Sequence, residues 1–254
     1  MKVPCGKNTE NGNLIFVSEV SSGECRFPLV VCPECGKPLQ AKKGKEKTHH
    51  FSHMPEPAKI KGHLGWKKKG AQCTAARETH IHKLAKRIIS EYKQIRIPNI
   101  DFYDCLESID GFHLLDRQLC QSGLYAVDRI INFDSIEEEE RIYSGKNHYI
   151  ADVLASIGPY ARKLVIEIAL SNDVGWDKRE KIKQSNISAI EIKLNQEIIA
   201  SFVSKQEWVN YIIDGADRYW LYNDKLERYR VEVLKIQLRE FERIAGIRDN
   251  IKIV

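Results

Sequence analysis

The sequence has no long apolar run. Nowhere does it reach the roughly 20 consecutive apolar residues needed to cross a bilayer, so no membrane partner is expected. It also lacks a secretory leader pattern near its start, where Lys2 is followed by Pro4, Cys5 and Gly6 rather than by an apolar stretch. A soluble, cytoplasmic protein is the expectation. No glycine-rich phosphate loop occurs, which argues against ATP hydrolysis within this chain. No internal repeat is evident. Cysteines cannot all pair, because there are seven. Cys32 and Cys35 are too close for an ordinary bridge, so in a reducing compartment they read as metal ligands or a redox pair.

What is present is an uneven charge. The net +5 is modest, but between Lys37 and Lys69 stand ten lysines and only two acids, Glu46 and Glu56. Such a cluster favours a polyanion, with phosphate contacts that carry no sequence information. Lys42, Lys43, Lys45, Lys67, Lys68 and Lys69 are the candidate nucleic-acid contacts, with Phe51 and Trp66 as stacking candidates. A solvated basic loop is the alternative. A nucleic acid is the expected partner of this cluster.

The 254 residues, 43% of them apolar, are enough to bury a core and divide into three regions. Residues 1–72 are rich in Gly, Pro, Cys and Lys and suit a small module of strands and turns. Residues 73–200 read as a core of helix, strands, helix and strand. A helix is expected over about Ala75 to Tyr92, with Ile81, Leu84, Ala85, Ile88, Ile89 and Tyr92 as its apolar stripe. Residues 123–133 look extended, and Glu137 to Glu140 read as a charged turn or edge. Two apolar runs, Tyr149 to Ala155 and Lys163 to Leu170, flank the turn signal Gly158-Pro159. A short helix, about Gly175 to Ser185, and a strand, Ala189 to Leu194, complete the core. Residues 201–254 are expected to be mostly helical. They begin with a capping box, Ser204 with Glu207, and end in a long charged helix over about Asp224 to Ala245. That last helix is a candidate surface for a second copy or a partner protein.

Two constellations carry chemistry. Cys32-Pro-Glu-Cys35-Gly36 has the form of a zinc knuckle, and His50-Phe-Ser-His53 follows fourteen residues later. Together they offer a tetrahedral Cys2His2 set for structural zinc, with His49, His63 and Cys73 as competitors for the fourth place. An idle or redox CxxC with incidental histidines is the alternative. The second constellation is Asp152 and Glu167, each an acid within an apolar strand. Paired as a hairpin, the two positions face each other, and like charges so placed are destabilising unless a divalent cation lies between them. Mg2+ or Mn2+ is the expected ion. Structural acids paired with lysines or amides are the alternative.

Asp152 and Glu167, each with apolar neighbours, resemble the PD-(D/E)XK nuclease core. The wider order of motifs resembles the competence-protein CoiA-like family: Cys32-Pro33-Glu34-Cys35-Gly36, His50-Phe51-Ser52-His53, Glu78-Thr-His-Ile-His82 and Arg218-Tyr-Trp-Leu-Tyr-Asn223. The likeness covers about residues 25–225. It implies an α/β fold: a restriction endonuclease-like α/β/α core with a mixed sheet, preceded by a zinc-binding module and followed by C-terminal helices. It further implies a metal-dependent nuclease acting on DNA, single- or double-stranded, in uptake, recombination or defence, with Glu78 assisting. One position departs from the pattern. Two residues after Glu167, where Lys or Gln is expected, stands Ala169. Lys178, one turn before the inward-facing Ile182, is the candidate replacement, and Lys181 is the second. Glu191-Ile-Lys193 also spells Glu-x-Lys, but its alternation reads as the polar face of a structural strand. A non-catalytic DNA-binding protein on a degenerate scaffold, or an interaction subunit, are the competing functions.

Overall fold

The computed structural model describes residues 3–21, 30–45, 48–54, 77–98, 129–170, 173–224 and 226–228, with isolated helical positions beyond. The side chains of residues 77–79 and 129 are outside that description. Lys67, Lys68, Lys69, His63, Trp66, Cys73 and most of the expected C-terminal helix also lie outside the described residues.

The N-terminal part is built of short strands. β1 (Cys5–Asn8) pairs antiparallel with β2 (Leu14–Phe16) and with β3 (Val30–Val31). β4 (Leu39–Lys42) and β5 (His50–His53) form a hairpin. Val3, Val17, Val30, Cys32, Leu39, Ala41 and Phe51 bury a small core between them. Gly6 is required there, because a Cβ on it would stand 2.1 Å from Val30 Cγ1. Cys5 and Phe16 face the other way, into the main core.

The main core is a mixed sheet. β8 (Ser135–Ser144), β9 (Asn147–Ile157), β10 (Arg162–Ala169), β11 (Ser188–Lys193) and β12 (Asp217–Tyr222) lie in the order β12-β11-β10-β9-β8. Only β10 and β11 run parallel, joined by a crossover through helix α2 (Trp176–Ser185), as a parallel pair requires. Helix α1 (Arg77–Tyr92) packs on the opposite face. β10 shows the division: Leu164, Ile166 and Ile168 join Ile81, Leu84, Ala85, Ile88 and Ile89 of α1, while Val165 joins Ile182 of α2 and Ala189. Each large aliphatic side chain so buried contributes about 1.5–3 kcal/mol. After α1, β6 (Gln94–Ile97) pairs antiparallel with β7 (Arg129–Asn132). Two short helices, α3 (Gln196–Ile199) and α4 (Lys205–Asn210), lead into β12; Ser204 and Glu207 cap α4 reciprocally.

One expectation holds and one is corrected. Of the two forms expected for Glu137 to Glu140, turn or edge, the edge is found, in strand β8. Charge on an exposed edge discourages pairing with other chains. β12 lies in the stretch expected to be helical. Its aromatic-rich sequence Tyr219-Trp220-Leu221-Tyr222 suits a half-buried strand, and it extends the sheet beyond β11. No described helix is long and apolar enough to cross a membrane.

Candidate metal centre and carboxylate site

The knuckle between β3 and β4 turns at Gly36, whose φ of +68° is costly for a residue with a Cβ. It brings Cys32, Cys35 and His53 together, with one ligand atom of each within 4.8 Å of the others. Cys35 Sγ lies 3.3 Å from His53 Nε2. Two sulfurs and an imidazole are the donor set that zinc prefers, so a metal such as zinc fits here. Burial pushes the Cys32 thiol up to about 12. A bound cation would hold it instead as thiolate. Burial also lowers His53, with a further push from the neighbouring His80, so its neutral ligating form is favoured.

His50 does not join this cluster. Its Nδ1 is 2.9 Å from the Thr48 carbonyl oxygen. The reason is the strand period: residues 50 and 53 are separated by an odd number, so β5 sends them to opposite faces. Phe51 shares the face of His53 and is fully buried, so it cannot stack on a base. Lys42 and Lys45 are exposed at the β4–β5 connection, whereas Lys43 is half-buried and reaches the Ser18 carbonyl. The histidine that sequence reasoning missed is His80 of α1. It is 4% exposed, with Nε2 3.9 Å from Cys32 Sγ.

The acids meet elsewhere, where the central strands part. β10 pairs with β9 only as far as Ile166↔Val153. The β8–β9 ladder passes from Glu138↔Val153 to Glu140↔Ala151 and omits Glu139, whose φ is +55°. Ala151 packs on the α2 side and Val153 on the α1 side, so β9 changes face at Asp152. The register that ends at Ile166↔Val153 sets Asp152 opposite Glu167, as expected, one step beyond the last ladder pair. Asp152 Oδ2 accepts the Ile168 amide at 2.9 Å and a hydrogen bond from His82 Nε2 at 2.9 Å. Lys86 Nζ stands 3.9 Å from its other oxygen and is bonded to Glu139.

Glu167 is 2% exposed. Lys178 of α2 donates to its Oε2 at 2.5 Å, while Oε1 is buried and receives no donor among the described residues. Burial would raise both carboxyls. For Asp152 it is outweighed by the hydrogen bond and charge of His82 and by the Ile168 amide, and the group stands below the ordinary carboxylate range. For Glu167 burial wins over Lys178, and the adjacent Asp152 adds to it, so the carboxyl is pushed up to about 8. One acid is charged while the other holds a proton near neutrality.

Lys181 pairs with Asp177 on the surface of α2 at 2.5 Å, away from Glu167. Glu191 lies beside Glu167 in the parallel register and is fully buried. It accepts the Val174 amide at 2.9 Å and faces Arg179, which fixes the start of α2. Lys193 pairs with Asp173 at 2.6 Å. The Glu78 side chain lies outside the described residues. His82 and Lys86 follow it at four-residue steps, and that polar stripe beside the apolar one is the signal by which both could have been found.

Residues 30–58 match the model of the N-terminal domain of competence protein CoiA. The CoiA-type segment thus includes Cys32, Cys35 and His53 and stops short of His80. No curated protein and no solved structure matches the chain.

Proposed function

We propose that the protein is a metal-dependent nuclease that hydrolyses phosphodiester bonds in DNA, on a restriction endonuclease-like core. The observation that carries this is the pair Asp152 and Glu167 at the parting of β9 and β10, with Glu167 Oε1 buried and receiving no donor among the described residues. A hard divalent cation fits that donor set: oxygen ligands, one already ionised and one held protonated by burial. Mg2+ or Mn2+ held by Asp152 and Glu167 would supply Lewis acidity toward a phosphate oxygen and lower the pKa of a bound water.

The chain's own groups do the rest. His82 and the Ile168 amide hold Asp152 ionised and oriented. Lys86 balances Asp152 and Glu139 on the α1 side. Lys178 takes the role left open by Ala169, steadying charge on the phosphate as water adds and the P–O bond breaks. Glu78, on the first turns of α1, would assist. Lys42 and Lys45, with the lysines at 67–69, would grip the backbone of the DNA. The CoiA likeness of residues 30–58 supports a competence-related role, in which the DNA is taken up from outside.

A second reading is a non-catalytic DNA-binding protein. The Lys178–Glu167 pair favours it, since a lysine can neutralise the buried acid without any metal. Cleavage of circular and linear, single- and double-stranded DNA with Mg2+ and with Mn2+, wild type beside Asp152→Ala, separates the two. Metal-dependent cutting that vanishes in the variant supports the nuclease. Salt-sensitive binding without cutting under either metal supports the alternative.

A further inference from the structure

Among the described residues, the cluster at Cys32, Cys35 and His53 offers three donors, and a structural zinc site takes four. The expected fourth, His50, points to the other face of β5. The buried imidazole that does approach the cysteines comes from a different part of the chain. His80 lies 48 residues beyond Cys32 on α1, outside the segment that matches the CoiA N-terminal domain.

We propose that His80 is the fourth ligand of a Cys2His2 zinc site formed by Cys32, Cys35, His53 and His80, which ties the N-terminal module to helix α1. With Zn–S near 2.3 Å and Zn–N near 2.0–2.1 Å, the edges of a tetrahedral site are about 3.3–3.8 Å long. Two edges are close to that range, 3.3 Å for Cys35–His53 and 3.9 Å for Cys32–His80. His80 stands just outside the set whose ligand atoms all lie within 4.8 Å of one another, so a bound ion would draw its imidazole inward. Cys32 is 1% exposed and His80 4% exposed, while Cys35 and His53 are half-buried; with four protein ligands no position would be left open, as a structural rather than a catalytic zinc requires.

The position on α1 gives the site a consequence. His80 and His82 are two residues apart on the helix, which turns them to nearly opposite sides. One side faces the cysteines and the other holds Asp152. Fixing His80 by a metal therefore sets the rotation and height of the helix from which His82 and Lys86 reach the acids. The inference does not rest on the nuclease reading, because metal content is measured without DNA.

The test uses the full chain, with zinc measured by mass spectrometry after dialysis against a competing chelator. Wild type and His50→Ala are expected to keep roughly one zinc per chain. His80→Ala is expected to lose it, with affinity lowered by more than the roughly 10–100-fold that outer-shell partners alone cost. A zinc-free wild type, or His80→Ala retaining zinc while His50→Ala loses it, overturns the proposal. Should His80→Ala fail to fold, His80→Cys loaded with Co2+ decides. Three thiolates in place of two raise the sulfur-to-cobalt charge-transfer absorbance, and a spectrum unchanged from wild type overturns the assignment.

Discussion

The Asp152 carboxylate accepts the amide of Ile168 at 2.9 Å, in the place where a backbone carbonyl of β9 would continue the ladder to β10. The side chain thereby ends the pairing of two central strands. It satisfies an amide that would otherwise be orphaned, and unpaired buried amides are costly. The same bond keeps the carboxylate at the gap rather than on either face of the sheet. The acid is thus part of the structure that makes room for it.

His82 supports Asp152 from α1, and removing it acts on the charge of the site before its shape. The hydrogen bond and charge of His82 are the leading influences lowering the Asp152 pKa. In His82→Ala the carboxyl binds protons more readily and competes less well as a ligand at low pH. The acid limb of metal-dependent cleavage should move to higher pH, with the rate at alkaline pH less affected. A pH–rate profile with the acid limb unmoved would show that His82 does not govern this acid.

Glu167 should make the metal-free protein less stable as the pH rises. Below the ordinary value of 4.5 the carboxyl is protonated in both folded and unfolded chains. Between 4.5 and about 8 the unfolded chain ionises while the folded one keeps its proton, so stability falls, and it levels off above about 8. The loss is at most on the order of 5 kcal/mol. Thermal melts from pH 5 to 8.5 measure it. Glu167→Gln, which keeps the shape without the ionisation, should flatten the slope, and saturating Mg2+ should do the same in wild type. An identical slope in Glu167→Gln would place the pH dependence elsewhere.

The acids were legible in the sequence because each interrupts an apolar strand, and a charge inside such a run needs a partner. Lys178 was legible through its one-turn offset from Ile182, which is fully buried. The histidines were not. His50 and His53 fit a familiar ligand spacing, but the segment is a strand, and a strand sends residues three apart to opposite faces. His80 and His82 lie on one helix and serve two different sites, a division set by what packs on each side of α1. Glu191 alternated as the polar face of a strand, and the start of α2 covers it completely. Helix faces and strand covers depend on distant chain segments, which local periodicity does not contain.

Lys178 and Lys181 differ by less than one turn of α2 and should behave differently. Lys178 reaches Glu167, whereas Lys181 reaches the exposed Asp177. Lys178→Met should lower cleavage by about 100-fold or more, the scale of losing one charge-stabilising donor. Its stability cost should be only about 1–3 kcal/mol, because Glu167 can keep its proton when the ammonium is gone. Lys181→Met should leave cleavage within about twofold, since an exposed ion pair is worth at most about 1 kcal/mol. Equal activity of the two variants in single-turnover cleavage would remove Lys178 from the site.

Glu191 should matter to cleavage only through the placement of α2. Its carboxylate is fully buried, takes the Val174 amide and faces Arg179 across 3.6 Å. Glu191→Ala strands that amide, at a cost of about 1–3 kcal/mol, whereas Arg179 is 39% exposed and stays solvated without its acid. Glu191→Gln keeps an acceptor for the amide and the same volume, so it should cost less. If Glu191 ligated the cation directly, the two variants would lose metal-dependent cleavage alike. If it only anchors the helix that carries Lys178, cleavage should track stability, with Glu191→Gln close to wild type and Glu191→Ala impaired. Melting curves and cleavage rates on the same preparations distinguish these outcomes, and the buried contacts to Val174 and Arg179 favour the anchor.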